Sequence, residues 1–188
     1  AIYDILTYLY IPAPKSAYRY VRNHKPSPWH VFQEGSFYEY SYWDFEFLFD
    51  KKRKVKSFDE SLYEFLRDRI QRQLTSDVPL GVLLSGGMDS STVTAIAGKA
   101  LGGKLHTCSI GFDDHDHSET GYAKLLARQY GTNHHEDHIG LDSIHNRLDD
   151  VLRLHDEPFG DSSAIPTLEV CRLARQYVKA VLSGDGGD

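Results

Sequence analysis

Cysteine is scarce in this sequence: Cys108 and Cys171 are the two among 188 residues, and both lie inside apolar-patterned segments. So few thiols exclude a disulfide-stapled secreted scaffold and lead us to expect two buried, reduced cysteines in a cytosolic chain. Long apolar runs are missing too. None reaches the roughly 18 residues that a membrane helix needs, and no signal-peptide pattern is visible, so no membrane partner is expected. There is no excess of basic charge, since 21 Lys and Arg face 27 Asp and Glu for a net charge of -6. That balance argues against a nucleic-acid platform, which normally carries a basic face. Methionine occurs once, at Met88, and the chain starts within an aromatic pattern and ends within the turn "SGDGGD". These features read as a fragment of a longer protein. With 40% hydrophobic and 26% charged residues, the composition is that of a globular chain able to bury a core.

Two regions differ in texture. Residues 1–56 are rich in Tyr, Phe and Trp, and stretches such as "QEGSFYEYSYWDF" alternate aromatic with polar residues between Pro and Gly breaks. They read as short strands and turns forming a linker or interdomain segment. The run "KKRKVK" at 51–56 reads as solvated linker. Residues 57–188 form the second region, expected to be the first part of a larger domain. Ser57 and Glu60 make a capping box, followed by Leu62, Phe65, Leu66, Ile70 and Leu74 at helical spacing. Short apolar runs then alternate with helical patterns: "GVLL", "STVTAIAGKAL", "LHTCSIGF", "ETGYAKLLARQYG", "HHEDHI", "LDSIHNRLDDVLRLH", "PTLEVCRLARQY" and "VKAVLS". In the third helix Leu141, Ile144, Leu148, Val151 and Leu152 share one face. Strands separated by helices of this length need parallel crossovers, so the fold class is α/β with a doubly wound parallel sheet.

Ligands in such sheets sit beyond the carboxyl ends of the strands, where both glycine-rich turns fall. In "LLSGGMDSS" (83–91) the glycines leave room for backbone N–H groups to approach a ligand, and the helix N-terminus that follows favours an anion. No lysine follows in the Walker position and no Gly-x-Ser-x-Gly occurs. Helix capping by Asp89, Ser90 or Ser91 is the purely structural alternative. Asp89 is the odd residue, because a carboxylate in a phosphate nest repels phosphate unless a divalent cation lies between them. The second turn, "SGDGGD" (183–188), ends in Asp188. Two aspartates on neighbouring strand ends can share Mg²⁺.

"SDVPLGVLLSGGMDSSTVTA" resembles the pyrophosphate-binding loop of ATP pyrophosphatases (PP-loop proteins), and in particular that of glutamine-dependent asparagine synthetases. "YAKLLARQYGTNHHE", "DEPFGDSSAIPT" and "VLSGDGGD" are similar to later segments of that family in the same order, and "LTYLYIPAPKSAYRYV" resembles its interdomain linker. The resemblance implies that Leu84 and Ile110 flank the adenine and ribose of ATP, with Ser183 and Gly184 touching the nucleotide from the other side. It implies that Ser85, Gly86, Gly87 and Ser90 cradle pyrophosphate and that Asp89 and Asp188 hold Mg²⁺. Asp185 is then the carboxylate near the reacting centre. The implied activity is ATP-dependent: a carboxylate, that of aspartate, becomes an acyl-adenylate, and glutamine-derived ammonia from a glutaminase domain of the same parent chain gives asparagine. A cytoplasmic enzyme that forms a homodimer fits the resemblance. This stretch alone is expected to be inactive, because the family's late lysine would follow Asp188. The family carries Glu where this chain has Asp185, and Ser where it has Gly187, which opens the identity of the acceptor acid.

Two histidine-rich stretches need their own reading. His134, His135, Asp137 and His138, and the run "DDHDHSE" at 113–119, have residue types that bind zinc. Strand alternation sends His134 and His135 to opposite faces, so packing and surface roles are expected instead. Two other functions compete with the synthetase reading. A tRNA-modifying pyrophosphatase calls for a basic surface and more cysteines. A regulatory module that senses ATP needs no pair of metal-holding aspartates.

Overall fold

Strands and helices alternate from Leu80 to Ile139 and two helices then precede the last strand in the computed structural model, which describes residues 1–44, 58–112 and 119–187. The strands are β3 (Leu80–Leu83), β4 (His106–Phe112), β5 (Asn133–Ile139) and β6 (Ala180–Leu182). They form one parallel sheet in the order β5-β4-β3-β6. Leu83 stands opposite Cys108, Leu80 opposite Ala180, and Cys108 opposite His135. Helices α2 (Phe58–Gln73), α3 (Met88–Leu101), α4 (Thr120–Tyr130), α5 (Leu141–Leu154) and α6 (Ala164–Ala174) accompany it. The sheet is the doubly wound arrangement expected. Val82 and Leu83 alternate along β3, so Val82 joins Ile70, Ile96 and Leu105 on one face, while Leu83 joins Cys108, Leu173 and Val178 on the other.

Local chemistry explains where the helices stop. α4 ends at Gly131 in the left-handed region (φ 63°), where the Thr132 N–H donates to the Ala127 carbonyl at 3.0 Å and the Gly131 N–H to that of Arg128 at 3.3 Å. α3 starts at Met88, earlier than "STVTAIAGKAL" suggests. Its N-cap is Gly87 with no side-chain cap bond, so capping is not what Asp89 and Ser90 do. The capping box at Ser57, the basic run 51–56 and most of "DDHDHSE" lie outside the described residues. Among the described residues, no helix is long and apolar enough to cross a membrane.

Several expectations need correction. Cys108 is buried, and burial, reinforced by the neighbouring Cys171, pushes its thiol up to about 11. Cys171 is exposed, although it neighbours Cys108 and partial burial still raises its thiol. On α2, Ile70 is buried and Leu66 and Leu74 join it, but Leu62 and Phe65 are exposed. On α5, Val151 is buried whereas Leu148 and Leu152 are exposed. Helical periodicity marked those stripes as apolar without fixing how far each is covered.

Among the described residues, 1–44 and 152–162 form a separate unit. Strands β1 (Pro28–Gln33) and β2 (Ser36–Ser41) make an antiparallel hairpin there. Its two turn residues, Glu34 and Gly35, both have positive φ (51° and 76°), as a two-residue type I′ turn requires. Trp29 stacks on Tyr40 with ring centroids 4.7 Å apart. The strands and turns expected for this region are present, but α1 (Ile2–Tyr8) was not foreseen, being too short to show periodicity. Within the unit Glu157 accepts from the Ala17 N–H at 2.9 Å and the Asn23 side-chain amide at 3.2 Å.

The histidines of β5 do separate to different surroundings. The His135 ring lies on Tyr177, centroids 3.5 Å apart, and its Nε2 meets Nδ1 of His106 at 3.0 Å. His134 Nδ1 bonds the Thr107 hydroxyl at 3.0 Å, and its Nε2 faces Oε2 of Glu136 at 3.8 Å. Glu136 also receives Lys124 and His138, each at 2.9 Å. Burial holds the His134 imidazole below its ordinary value; burial pushes Glu136 up, but Lys124 and His138 outweigh it and lower the carboxyl. Each group therefore binds its proton less readily folded than unfolded. Both contributions are complete above the unfolded values, roughly 6.5 for His and 4.3 for Glu, and are lost as pH falls. The urea midpoint should drop between roughly pH 7 and pH 5, and His134→Gln should flatten that drop. An unchanged slope in the variant would remove His134 from the account.

Candidate functional site

The pairing of β3 with β6 brings the two glycine turns side by side at the carboxyl ends of the sheet. A cavity of about 430 Å³ opens between them, a size suited to a small organic ligand. Leu84, Ser85, Gly87, Asp89 and Ser90 line it from the first turn, and Ser183, Gly184, Asp185 and Gly186 from the second. Cys108, Ser109, Ile110 and Phe112 contribute from β4. Asp188 lies outside the described residues. Of the described residues that the resemblance assigns to the nucleotide, pyrophosphate, metal or reacting centre, Gly86 alone does not line the cavity, and it has a different task.

The first turn is held by its own hydroxyls. Ser85 Oγ and Ser90 Oγ are 2.9 Å apart, the Ser85 N–H donates to Ser90 Oγ at 3.2 Å, and the Gly87 N–H donates to Ser85 Oγ at 3.2 Å. Ser90, which is buried, also donates to the Gly87 carbonyl at 3.3 Å. Beneath them the Leu84 N–H donates to the Cys108 carbonyl at 2.8 Å, and the buried Ser109 hydroxyl donates to the Leu84 carbonyl. Gly86 has φ 99°, and a β-carbon there would stand 2.6 Å from the Glu119 carbonyl oxygen. Only glycine satisfies both the angle and the contact. The first-turn N–H groups of α3, which a helix cannot pair internally, follow directly. They give this end of the cavity a positive partial charge.

The second turn rests against the start of α3 through missing side chains. A β-carbon on Gly184 would stand 2.6 Å from the Ser90 backbone nitrogen and 2.9 Å from the Asp89 carbonyl carbon. One on Gly187 would stand 2.7 Å from Asp89 Cγ and 2.8 Å from its Oδ1. The Asp89 carboxylate is thus seated against the glycine backbone of the second turn. The Gly187 N–H closes that turn on the Gly184 carbonyl at 3.3 Å. Ser183 Oγ donates to Asp185 Oδ2 at 2.7 Å.

Sequence reading missed one wall. Pro166, Thr167 and Val170 of α6 also line the cavity. A signal for them existed: a crossover helix runs antiparallel to the strands, so the first turn of the helix leading into β6 must lie at the ligand end of the sheet. Glu119 was also missed. Its carbonyl and β-carbon are what Gly86 lies against, and its Oε2 comes within 3.9 Å of a β-carbon built on Gly87.

Fold and site together define a doubly wound α/β domain with two glycine turns, one of them opening a helix, at neighbouring strand ends. The sequence profile described as asparagine synthase matches residues 61–188, and the chain belongs to that family. It is 40% identical over 80% of its length to a putative glutamine-hydrolyzing asparagine synthetase 2 of Methanocaldococcus jannaschii, and covers 29% of that protein. It is 29% identical along its whole length to the glutamine-hydrolyzing asparagine synthetase 1 of Bacillus subtilis, covering 30% of it. The chain therefore spans under a third of the length of these relatives. Among solved structures it is similar to an NH3-dependent NAD synthetase from Campylobacter jejuni, at 18% identity and a TM-score of 0.42, over 62% of this chain and 51% of that one.

Proposed function

We propose that this chain is the nucleotide-binding part of an enzyme that uses ATP to activate a carboxylate. The acceptor acid, aspartate in the first instance, takes the adenylyl group with release of pyrophosphate. Ammonia, made from glutamine by a glutaminase domain of the same protein, then displaces AMP to give the amide. The observation that carries this reading is the seating of Asp89 between two glycine turns at paired strand ends. Relatives named as glutamine-hydrolyzing asparagine synthetases support it.

The residues divide the work by position. Ile110, with the α6 wall, offers apolar surface for the base and ribose, Leu84 lies buried beneath them at the floor of the cavity, and Gly184 closes it beside them. Ser85, Gly86, Gly87 and Ser90 form the cradle for the departing pyrophosphate, with the start of α3 stabilising its charge. Asp185 stands at the cavity for the reacting carboxylate. The donor set suits Mg²⁺: Asp89 is a hard oxygen ligand pressed into a cradle that a β-carbon would fill. Asp89 and Asp188 would hold the ion, which supplies charge neutralisation of the pyrophosphate leaving group. The same reading places the enzyme in the cytoplasm as a homodimer.

The test is ATP–pyrophosphate exchange by the intact protein over a panel of carboxylic acids. Exchange should require both Mg²⁺ and an acid. With Asp185 at a position where the family carries Glu, a preference away from aspartate, or slow reaction with it, is expected. Tight ATP binding with no exchange on any acid would identify a nucleotide-sensing module instead.

A further inference from the structure

We infer that Ser109 is a positioning residue that fixes the peptide leading into the pyrophosphate cradle, an inference that rests on the cradle proposed above. Strand β3 is paired with β4 as far as Leu83, which stands opposite Cys108, and the Leu84 N–H still donates to the Cys108 carbonyl at 2.8 Å. The chain then leaves the sheet at Ser85. The Leu84 carbonyl is thus the last acceptor before the cradle, on a residue that is 1% exposed. A buried carbonyl needs a donor. The Ser109 hydroxyl, 25 residues further along the chain and on a residue 2% exposed, supplies it.

The single peptide plane between Leu84 and Ser85 is therefore held at both ends. Ser109 donates to its carbonyl oxygen, and its N–H donates to Ser90 Oγ at 3.2 Å. The first partner belongs to β4 and the second, also buried, to α3. The plane they hold sets the direction in which Ser85, Gly86 and Gly87 leave the strand. Without the Ser109 hydroxyl the Leu84 carbonyl would be buried and unpaired, which is a costly state. The cavity that Leu84 lines offers it water. A carbonyl turned that way would aim its negative end at the phosphate oxygens and draw the Ser85 N–H away from Ser90. The hydroxyl thus acts on a bound anion through the backbone.

The experiment measures binding of inorganic pyrophosphate with Mg²⁺, and separately of AMP, to the intact protein by calorimetry. It compares the unsubstituted protein with Ser109→Ala, Ser90→Ala and the pair. Ser109→Ala should raise the Kd for Mg²⁺-pyrophosphate about 10-fold. The Kd for AMP should move less than about twofold, since the base and ribose lie against other residues. Added to Ser90→Ala, the same substitution should cost less than it does alone, because both hydroxyls hold one peptide. Equal weakening of both ligands would make Ser109 a general support of the sheet, and full additivity would show the two hydroxyls acting separately. Either result overturns the inference, as does unchanged pyrophosphate binding in Ser109→Ala or none by the unsubstituted protein. ATP–pyrophosphate exchange is followed beside these measurements. An unsubstituted protein that binds pyrophosphate but shows no exchange on any acid would sink the adenylation reading, while the loss in Ser109→Ala would still uphold the role of Ser109.

Discussion

Asp89→Asn should lower Mg²⁺-dependent ATP–pyrophosphate exchange by about 10³-fold, the rate equivalent of several kcal/mol of lost charge stabilisation. The substitution is nearly isosteric, so the contact with Gly187 survives and the turn keeps its shape. What changes is charge. The amide no longer offers an anionic oxygen to a cation, while the first-turn N–H groups of α3 still favour an anion. ATP free of metal should therefore still bind, and the loss should appear in turnover and in the metal concentration needed to reach it. Nucleotide binding with and without Mg²⁺, measured beside exchange, separates the two. Near-normal exchange at stoichiometric metal would remove Asp89 from metal holding.

Gly184→Ala should also be severe, for a steric reason. The added carbon would lie 2.6 Å from the Ser90 nitrogen and 2.9 Å from the Asp89 carbonyl carbon, both backbone atoms. Neither can rotate away as a side-chain tip would. The second turn or the start of α3 must move, and a displacement of about 1 Å at a reacting centre costs on the order of 10²-fold in rate. Exchange should fall by that factor while circular dichroism and the urea midpoint stay close to those of the unsubstituted protein, because the clash lies outside the sheet core. A variant with full exchange would show that the two turns need not touch for chemistry.

Much of this site was legible in the sequence because its features are local. Ser-Gly-Gly followed by an acidic residue at a strand end states a turn, a helix N-terminus and a charge within seven residues. The pairing of β3 with β6 followed less directly, from the recurrence of a similar turn after a later strand. Non-local facts were harder to read. That Gly184 and Gly187 face Asp89 depends on how two distant turns meet, and nothing in "SGDGGD" alone says so. The α6 wall was hidden for a similar reason, since "IPTLEV" reads as any amphipathic helix until its direction relative to the sheet is considered. Cys171, Leu148 and Leu152 show a further limit: periodicity identifies an apolar stripe, but coverage depends on what lies against it.

The strand order has a consequence for how the protein is made. β3 pairs with β4, which follows it closely in the chain, but also with β6, where Leu80 meets Ala180. A ribosome adding about 5–20 residues per second needs roughly 5–20 s to travel between those two strands. During that interval the serine-rich turn can be complete while its partner has yet to be synthesised. The cavity is therefore a late product of translation, and closing so long a loop belongs among the slow, non-local events of folding. ATP should begin to stabilise the nascent chain only after β6 has docked, so nucleotide cannot guide the earlier steps of folding.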